Sequence, residues 1–196
     1  MPVRPRREKG MTAMQAEKSN RMKTRDLVYC AVFAALIAVC AWISIPMTVP
    51  FTMQTFGVFA TVGLLGGKRG SLSVLVYLLL GAVGLPVFAG FKGGIGALMG
   101  TTGGYIVGFL ASALVMWGLE RLWGRSPRAL LASMVLGLLV CYALGTVWFM
   151  AVYASTTGPV GVATVLGWCV FPFLIPDGAK IALAMLVSAR LAKYLR

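Results

Sequence analysis

Two residues near the end of the chain carry opposite charges inside an apolar segment. Asp177 and Lys180 lie three residues apart in the stretch FPFLIPDGAKIALAMLVSA. A single charge in the middle of a bilayer costs about 2.5 to 3.5 kcal/mol on insertion-based scales. At this spacing the two side chains share one helix face, so each offsets the desolvation of the other. Such a pair can bind a polar ligand, because the carboxylate accepts hydrogen bonds and the ammonium donates them.

The alternative for the same pair is a structural ion pair that fixes the last helix against a neighbour. Replacing a buried pair with apolar residues is often neutral or stabilising, so stability alone is a weak reason to keep one. Pro176 suits the first turn of a helix. We therefore expect Asp177 near a helix N-terminus, where exposed N–H groups favour a carboxylate.

The composition of the whole chain indicates an integral membrane protein. Of its 196 residues, 59% are hydrophobic and 12% are charged, against about 25% charged in soluble domains. The length has room for about six spans of roughly 20 residues with short connections, and none for a soluble catalytic domain. The net charge of +13 therefore indicates a positive cytoplasmic side and contact with anionic lipids, and not nucleic acid binding.

Metal and enzyme chemistry are disfavoured. The sequence has no histidine, and its four cysteines show no CxxC spacing, so we expect no metal site and no cofactor. The stretch LLGGKRGS lacks the upstream glycine and the following Ser or Thr of a phosphate-binding loop, so we expect no ATPase site. Outside the last segment, the apolar runs contain no His, Asp or Glu for acid–base catalysis.

The apolar runs predict six membrane-spanning helices, over residues 27–45, 51–67, 71–89, 103–119, 129–152 and 173–192. Sixteen of the eighteen Lys and Arg residues fall in the two termini and the even-numbered connections; Lys92 and Lys180 are the others. This bias predicts that both termini are cytoplasmic. We expect an all-α, single six-helix membrane domain over residues 24–196, after a basic, disordered tail over residues 1–23. With Arg190 at the inner boundary, Asp177 lies about 20 Å above it, in the outer half of the bilayer, so the pocket opens outward.

The first predicted external connection reads IPMTVPFTMQT, where prolines stiffen the chain and Thr52 and Gln54 supply donors and acceptors. Gln54 lies just inside the next helix, where an unpaired amide is costly. It either faces a ligand or belongs to an ordinary polar turn.

The third connection is the most glycine-rich part of the chain, GLPVFAGFKGGIGALMGTTGGYIVGF. GFKGG and GTTGG predict a compact loop whose backbone approaches a ligand or acts as a lid. For Gly104 and Gly108, the alternative is close helix packing. The first helix carries small-xxx-small pairs, Ala31 with Ala35 and Ala34 with Ala38, which offer a flat face to another helix.

Together these segments resemble the BioY family, the biotin-specific S components of energy-coupling-factor (ECF) transporters. The stretches TVPFTMQTFGVF and LLLGAVGLPVFAGFKGGIGALMGTTGGYIVGF and the D-x-x-K segment occur in the expected order, and TRDLVYCAVFAALIA also fits. The likeness covers about residues 24–196. One departure is Thr101, where the family usually has the proline of GPTGGY, which puts the stiffness of that loop in doubt.

The resemblance implies a six-helix S component in the cytoplasmic membrane of a prokaryote that captures biotin outside and releases it inside. Asp177 and Lys180 match the family's polar pair. The external loops, with Thr52, Gln54, Gly103 and Gly104, match its gate and pocket wall. The alanine face, Ala31, Ala34, Ala35 and Ala38, matches the surface that docks on a transmembrane coupling subunit bound to two ATPases. Whether the chain uses this module or works alone as a homo-oligomer stays open.

The chemistry of biotin agrees with this implied site. Biotin has two ureido N–H donors, a ureido carbonyl, an apolar thiolane ring and a valerate tail. Asp177 would accept from the N–H groups, and Lys180 would donate to a carbonyl or carboxylate oxygen. Lys92, the one basic residue in a predicted external loop, would instead steer or bind the carboxylate. The expected apolar walls are Phe51, Phe88, Tyr105 and Trp168.

Three rival functions remain at this point. The first is a protein of the same architecture that binds another small vitamin. The second is a membrane-embedded enzyme, and the third is a structural subunit of an assembly.

Overall fold

The computed structural model describes residues 24–195, which are mostly helical. In this range we number the α-helices α1 to α8: Thr24–Trp42, Gln54–Leu65, Gly67–Ala82, Ile95–Met99, Gly103–Trp123, Pro127–Thr156, Val162–Cys169 and Phe171–Leu195. Two short strands, β1 (Ser44–Ile45) and β2 (Phe51–Thr52), form an antiparallel ribbon between α1 and α2. A single 3-10 turn covers Ala89–Phe91. The basic tail predicted over residues 1–23 lies outside the described residues.

Four of the described helices, α1, α5, α6 and α8, are long and apolar enough to cross a membrane. The predicted second and third spans correspond to shorter helices, because α2 has 12 residues and α3 has 16. At 1.5 Å per residue even α3 is about 24 Å long, less than the roughly 30 Å of a hydrocarbon core. Within the described residues, four of the predicted spans are therefore helices of spanning length, and shorter helices lie at the predicted second and third spans.

The ends of three helices differ from the prediction for local reasons. α3 stops at Ala82 and not near residue 89, because Gly84 takes a left-handed φ of +106° and Pro86 follows. α6 begins at Pro127. The preceding residue, Ser126, is the N-cap of this helix, and its side chain accepts a hydrogen bond from the Ala129 N–H. α8 begins at Phe171, so Pro176 lies inside the helix. The expectation that Asp177 lies in a first helical turn is therefore wrong.

α2 lies at the centre of the molecule. All its residues except Phe56 are buried, and it contacts α1, α3, α5 and α8. α5 and α6 form the most extensive helix pair, and small residues let them approach. A Cβ at Gly104 would overlap Trp148, and one at Gly108 would press on Cys141.

One end of the bundle gathers several basic segments, and we call it the basic end. Asp26 at the start of α1 pairs with Arg69 at the start of α3, at 2.9 Å. Glu120 in α5 accepts from the Gly67 N–H at 2.5 Å and pairs with Arg125 at 3.3 Å. The start of α1, the α2–α3 corner and the α5–α6 connection therefore meet at this end.

Candidate functional site

A cavity of about 620 Å³ lies at the opposite end from the basic end. α5 links the two ends, because it runs from Tyr105 at the cavity to Arg121 at the basic end. The cavity walls come from the α1–α2 connection, the start of α2, the segment between α3 and α5, helices α5, α6 and α8, and the end of α7. Seven of the predicted site residues line it: Thr52, Gln54, Phe88, Lys92, Tyr105, Asp177 and Lys180.

The charged pair is buried at one wall of this cavity. Asp177 is 3% exposed and Lys180 is 5% exposed. Lys180 Nζ donates to Asp177 Oδ1 at 2.7 Å. The ammonium also stands 4.0 Å from the centre of the Phe51 ring, on its face, which stabilises the desolvated cation. The pair is therefore well compensated and still borders open space.

Tyr142 completes the pair, and sequence reasoning missed it. Its hydroxyl donates to Asp177 Oδ2 at 2.6 Å, and its side chain lines the cavity. From its sequence alone, the uncharged stretch LLASMVLGLLVCYALG in α6 predicts ordinary helix packing. That interpretation is wrong for Tyr142. The available signal was the phenol itself, since a hydroxyl in an apolar run needs a buried partner.

Gln54 belongs to a second polar group in the same cavity. Its side-chain Nε2 donates to the Tyr77 hydroxyl at 2.6 Å, and its Oε1 accepts from the Thr52 hydroxyl at 3.1 Å. Tyr77 is fully buried and packs edge-on against Phe88, with ring centres 5.6 Å apart. This group therefore fixes one amide N–H of Gln54 and the position of an aromatic wall residue.

Tyr105 lines the cavity from α5. Its hydroxyl lies 3.3 Å from the Thr146 hydroxyl of α6, and the ring packs over Gly145, where a Cβ would overlap it. Phe109, Leu138 and Phe173 supply further apolar lining. The cavity is thus mostly apolar with a few convergent polar groups, as is typical of small-molecule sites.

Lys92 lies at the mouth of the cavity, exposed, in a segment held by specific contacts. Its carbonyl accepts from the Phe88 N–H at 2.9 Å. Trp42 in α1 donates to the Pro86 carbonyl at 2.9 Å and stacks on Phe91 at 5.2 Å. Phe91 has a left-handed φ of +57°, a conformation that is costly for a bulky residue. The segment carrying Lys92 is therefore shaped by its neighbours.

The arrangement offers binding chemistry. A carboxylate, an ammonium, an amide and several hydroxyls face this one cavity, and most of the other residues around them are aromatic or aliphatic. Within residues 24–195 no three His, Cys, Asp or Glu side chains cluster as metal ligands would.

A model of the BioY family matches residues 14–196. The chain belongs to the BioY family. It is 46% identical over 170 residues to the "Biotin transporter BioY" of Thermotoga maritima, covering 86% of this chain and 96% of that protein. It is 41% identical over 171 residues to the "Probable biotin transporter BioY" of Pyrococcus horikoshii, covering 87% and 98%.

The fold has a solved counterpart. The crystal structure of the S component for biotin from an ECF-type ABC transporter superposes with a TM-score of 0.76 at 27% identity. The match covers 90% of this chain and 100% of that one. With four helices of spanning length and relatives named as transporters, the chain is a multi-pass membrane protein with an S-component-like fold.

Four predicted site residues of this BioY-family chain do not line the cavity. Phe51 stands behind Lys180 and contacts its ammonium. Gly103 and Gly104 are packing positions, because a Cβ would meet the Leu98 backbone at Gly103 and Trp148 at Gly104. Trp168 is 40% exposed and packs against Tyr153, with ring centres 6.1 Å apart. None of these four residues lines the cavity in this structure, so the wall roles of Phe51 and Trp168 and the ligand approach at Gly103 and Gly104 stay predictions.

The alanine face of α1 divides into two sides. Ala34 and Ala38 are 1% and 4% exposed and pack in the core, so their predicted part in an external docking surface is wrong. Ala31 and Ala35 are exposed on the side of α1 that faces away from the helix bundle, which we call the outer face of α1. A helical spacing of three or four residues cannot tell these two faces apart without knowing which one the rest of the bundle covers.

Proposed function

We propose that this chain is the substrate-binding S component of a biotin uptake system in the cytoplasmic membrane of a prokaryote. The observation that carries the proposal is the Asp177–Lys180 pair, joined by Tyr142 and buried against a cavity of about 620 Å³. This volume lies within the roughly 300–1,000 Å³ of small-molecule sites. Membership of the BioY family and relatives named as biotin transporters support biotin as the ligand.

The polar wall suits the ureido ring of biotin. Asp177 has one bond on each carboxylate oxygen, and a carboxylate offers about four acceptor positions, so it can also accept from the ureido N–H groups. One N–H of the Lys180 ammonium donates to Asp177, and the ammonium also lies over the face of the Phe51 ring. Its remaining N–H groups can donate to the ureido carbonyl. One N–H of the Gln54 side-chain amide donates to Tyr77, and the second N–H can donate to the ligand.

The rest of the ligand meets different surfaces. Phe88, Tyr105, Phe109 and Phe173 enclose the apolar thiolane ring and valerate methylenes. Lys92, at the mouth, binds or steers the carboxylate of the tail. Biotin is bound and released unchanged, so the chain acts as a transporter component and not as an enzyme.

The membrane arrangement follows from charge. We place six helices across the bilayer, α1, α2, α3, α5, α6 and α8, with both termini in the cytoplasm. The basic residues of the α2–α3 corner and the α5–α6 connection support this orientation. The cavity then opens outward. Exposed Ala31 and Ala35 offer α1 as the docking face for a coupling subunit with its ATPases, and a homo-oligomer is the arrangement without that module.

Biotin titration of the purified protein tests the ligand. We expect saturable one-site binding of biotin and none of thiamin or riboflavin, neither of which has a cyclic urea with two N–H donors. Binding of either of those vitamins in preference to biotin would assign the site to another substrate. Absence of saturable biotin binding up to micromolar concentration would reject the proposal.

A further inference from the structure

A second cavity, of about 260 Å³, lies at the basic end. The ends of α2, α5 and α8 and the start of α6 form its walls. It is smaller than the roughly 300 Å³ at which ordinary small-molecule sites begin. Its lining combines aliphatic side chains with two basic residues and two hydroxyls, and includes Val62, Leu130, Met185, Arg125, Lys193 and Ser188. The mixture suits a small anionic group attached to an apolar chain.

Ser188 brings a buried hydroxyl to the wall of this cavity. The side chain is buried, at 4% exposure, and its hydroxyl has no hydrogen-bond partner among the described residues. The hydroxyl oxygen lies at the cavity wall beside Gly63 of α2, where an added Cβ would overlap it. Leaving a buried hydroxyl without a partner costs about 1–3 kcal/mol. An acceptor inside the cavity would remove this cost.

Two cations border the same space. Arg125 is fixed, because its Nη2 donates to the Gly63 carbonyl at 3.3 Å and its Nε pairs with Glu120 at 3.3 Å. A guanidinium has five N–H donors, so several stay free for a ligand. Lys193 has no carboxylate within 4.0 Å in residues 24–195. Since Glu120 is already engaged by Arg125 and the Gly67 N–H, the cavity carries an excess of positive charge.

The surroundings of the cavity match the headgroup level of a bilayer. Trp123 and Tyr194, at the ends of α5 and α8, are 51% and 71% exposed, and such aromatic residues mark membrane–water boundaries. Leu122 and Leu191 beside them are also exposed and suit contact with acyl chains. Basic pockets between membrane helices bind anionic lipid headgroups.

We propose that this cavity binds the phosphate of an anionic phospholipid. Arg125, Lys193 and Ser188 donate to the phosphate oxygens, and the glycerol and first methylenes pack on Leu130 and Met185. The site is separate from the biotin cavity and does not depend on what that cavity binds. A bound lipid would tie α2, α5, α6 and α8 together at the basic end.

Titration of the purified, delipidated protein with short-chain lipids tests this site. The probes are dioctanoyl phosphatidylglycerol, dioctanoyl phosphatidylcholine and inorganic phosphate, with binding measured by native mass spectrometry and by the shift in melting temperature. We expect phosphatidylglycerol to bind more tightly than phosphatidylcholine. Lys193→Gln and Ser188→Ala should each weaken phosphatidylglycerol binding about fivefold.

Arg190→Gln is the matched control. Arg190 is exposed on the same helix and does not line the cavity, so its loss should change affinity by less than about twofold. Cooperative melting without lipid shows that each variant is folded. The proposal is overturned by equal binding of both lipids, or by equal losses in Arg190→Gln and Lys193→Gln, which would mean diffuse surface charge. A stabilisation by inorganic phosphate as large as that by phosphatidylglycerol would overturn it in favour of a soluble anion.

Discussion

Asp177 engages both of its carboxylate oxygens inside the protein, one with Lys180 and the other with Tyr142. The pair itself is predictable from sequence, because charges inside an apolar run are costly and therefore informative. Tyr142 is not, because its contact joins residues 35 positions apart and depends on how α6 is rotated against α8. The same holds for Gln54, whose polar character is visible but whose partner Tyr77 is not.

Tyr142 gives a prediction at this scale. Tyr142→Phe keeps the ring and removes the donor to Asp177 Oδ2, so the carboxylate is less well oriented toward the ligand. We expect biotin affinity to fall about three- to tenfold, since a hydrogen bond to a charged group contributes about 1.5–3 kcal/mol and a ligand N–H recovers part of it. Isothermal titration calorimetry measures the change.

Tyr153→Phe is the control for this variant. Tyr153 lies on the same helix, packs against Phe149 and Trp168, and does not line the cavity. It should bind biotin as the unmodified protein does. Equal losses in the two variants would show that the effect of Tyr142 is not local.

The helices themselves are largely predictable, since long apolar runs leave few alternatives to a spanning helix. The residues at which these helices begin and end are harder to predict. α2 and α3 are shorter than their apolar runs because the connections at their cavity ends fold into the cavity wall, with β2 before α2 and Gly84 after α3. The glycines of α5 were open to two interpretations, and the structure places Gly104 and Gly108 against α6.

The packing role of Gly104 predicts a change in stability. Gly104→Ala places a methyl group where Trp148 lies, so the α5–α6 contact must shift and the free energy of unfolding should fall by about 1–3 kcal/mol. Gly118→Ala is the matched control, because a Cβ there meets nothing within 4 Å. It should raise stability by about 0.5–1 kcal/mol, since alanine favours helix.

Thermal melting of the two glycine variants in one detergent gives the comparison. A Gly104→Ala protein that melts at or above the temperature of Gly118→Ala would show that α5 and α6 do not need this close approach.

At the scale of the whole molecule, charge separates the two ends. The large cavity lies at one end, and Arg69, Arg121 and Arg125 gather at the other. Counting basic residues along the chain predicts this division, because it needs only the order of spans and connections. The exposed side of α1 cannot be predicted in this way, because it depends on which helices pack against α1. Ala34 and Ala38 are buried in the bundle for this reason.

Cysteine labelling checks the membrane orientation. The four native cysteines are buried, so a single introduced cysteine gives the signal. We expect Thr157→Cys, in the exposed α6–α7 connection, to react with a membrane-impermeant maleimide in intact cells. Lys68→Cys, at the α2–α3 corner, should react only after permeabilisation. The opposite pattern would invert the proposed topology.

The outer face of α1 carries a prediction about energised uptake. Ala31→Leu and Ala35→Leu add bulk on an exposed surface, so they should leave biotin binding intact and reduce uptake in cells that contain a coupling module. Ala34→Leu adds bulk in the core and should impair folding and binding together. Unchanged uptake in both outer-face variants would exclude this face as the docking surface.

The most direct test of the whole account is the biotin dissociation constant of Asp177→Asn and Lys180→Met, measured beside the unmodified protein by calorimetry. Both replacements are close in size to the native side chains, and monodisperse gel filtration with unchanged helical circular dichroism shows that the variants are folded. Because each removes one charge-assisted interaction with the ligand, worth about 1.5–3 kcal/mol, we predict that affinity falls tenfold or more in both. Unmodified affinity in either folded variant would contradict the claim that this buried pair binds biotin.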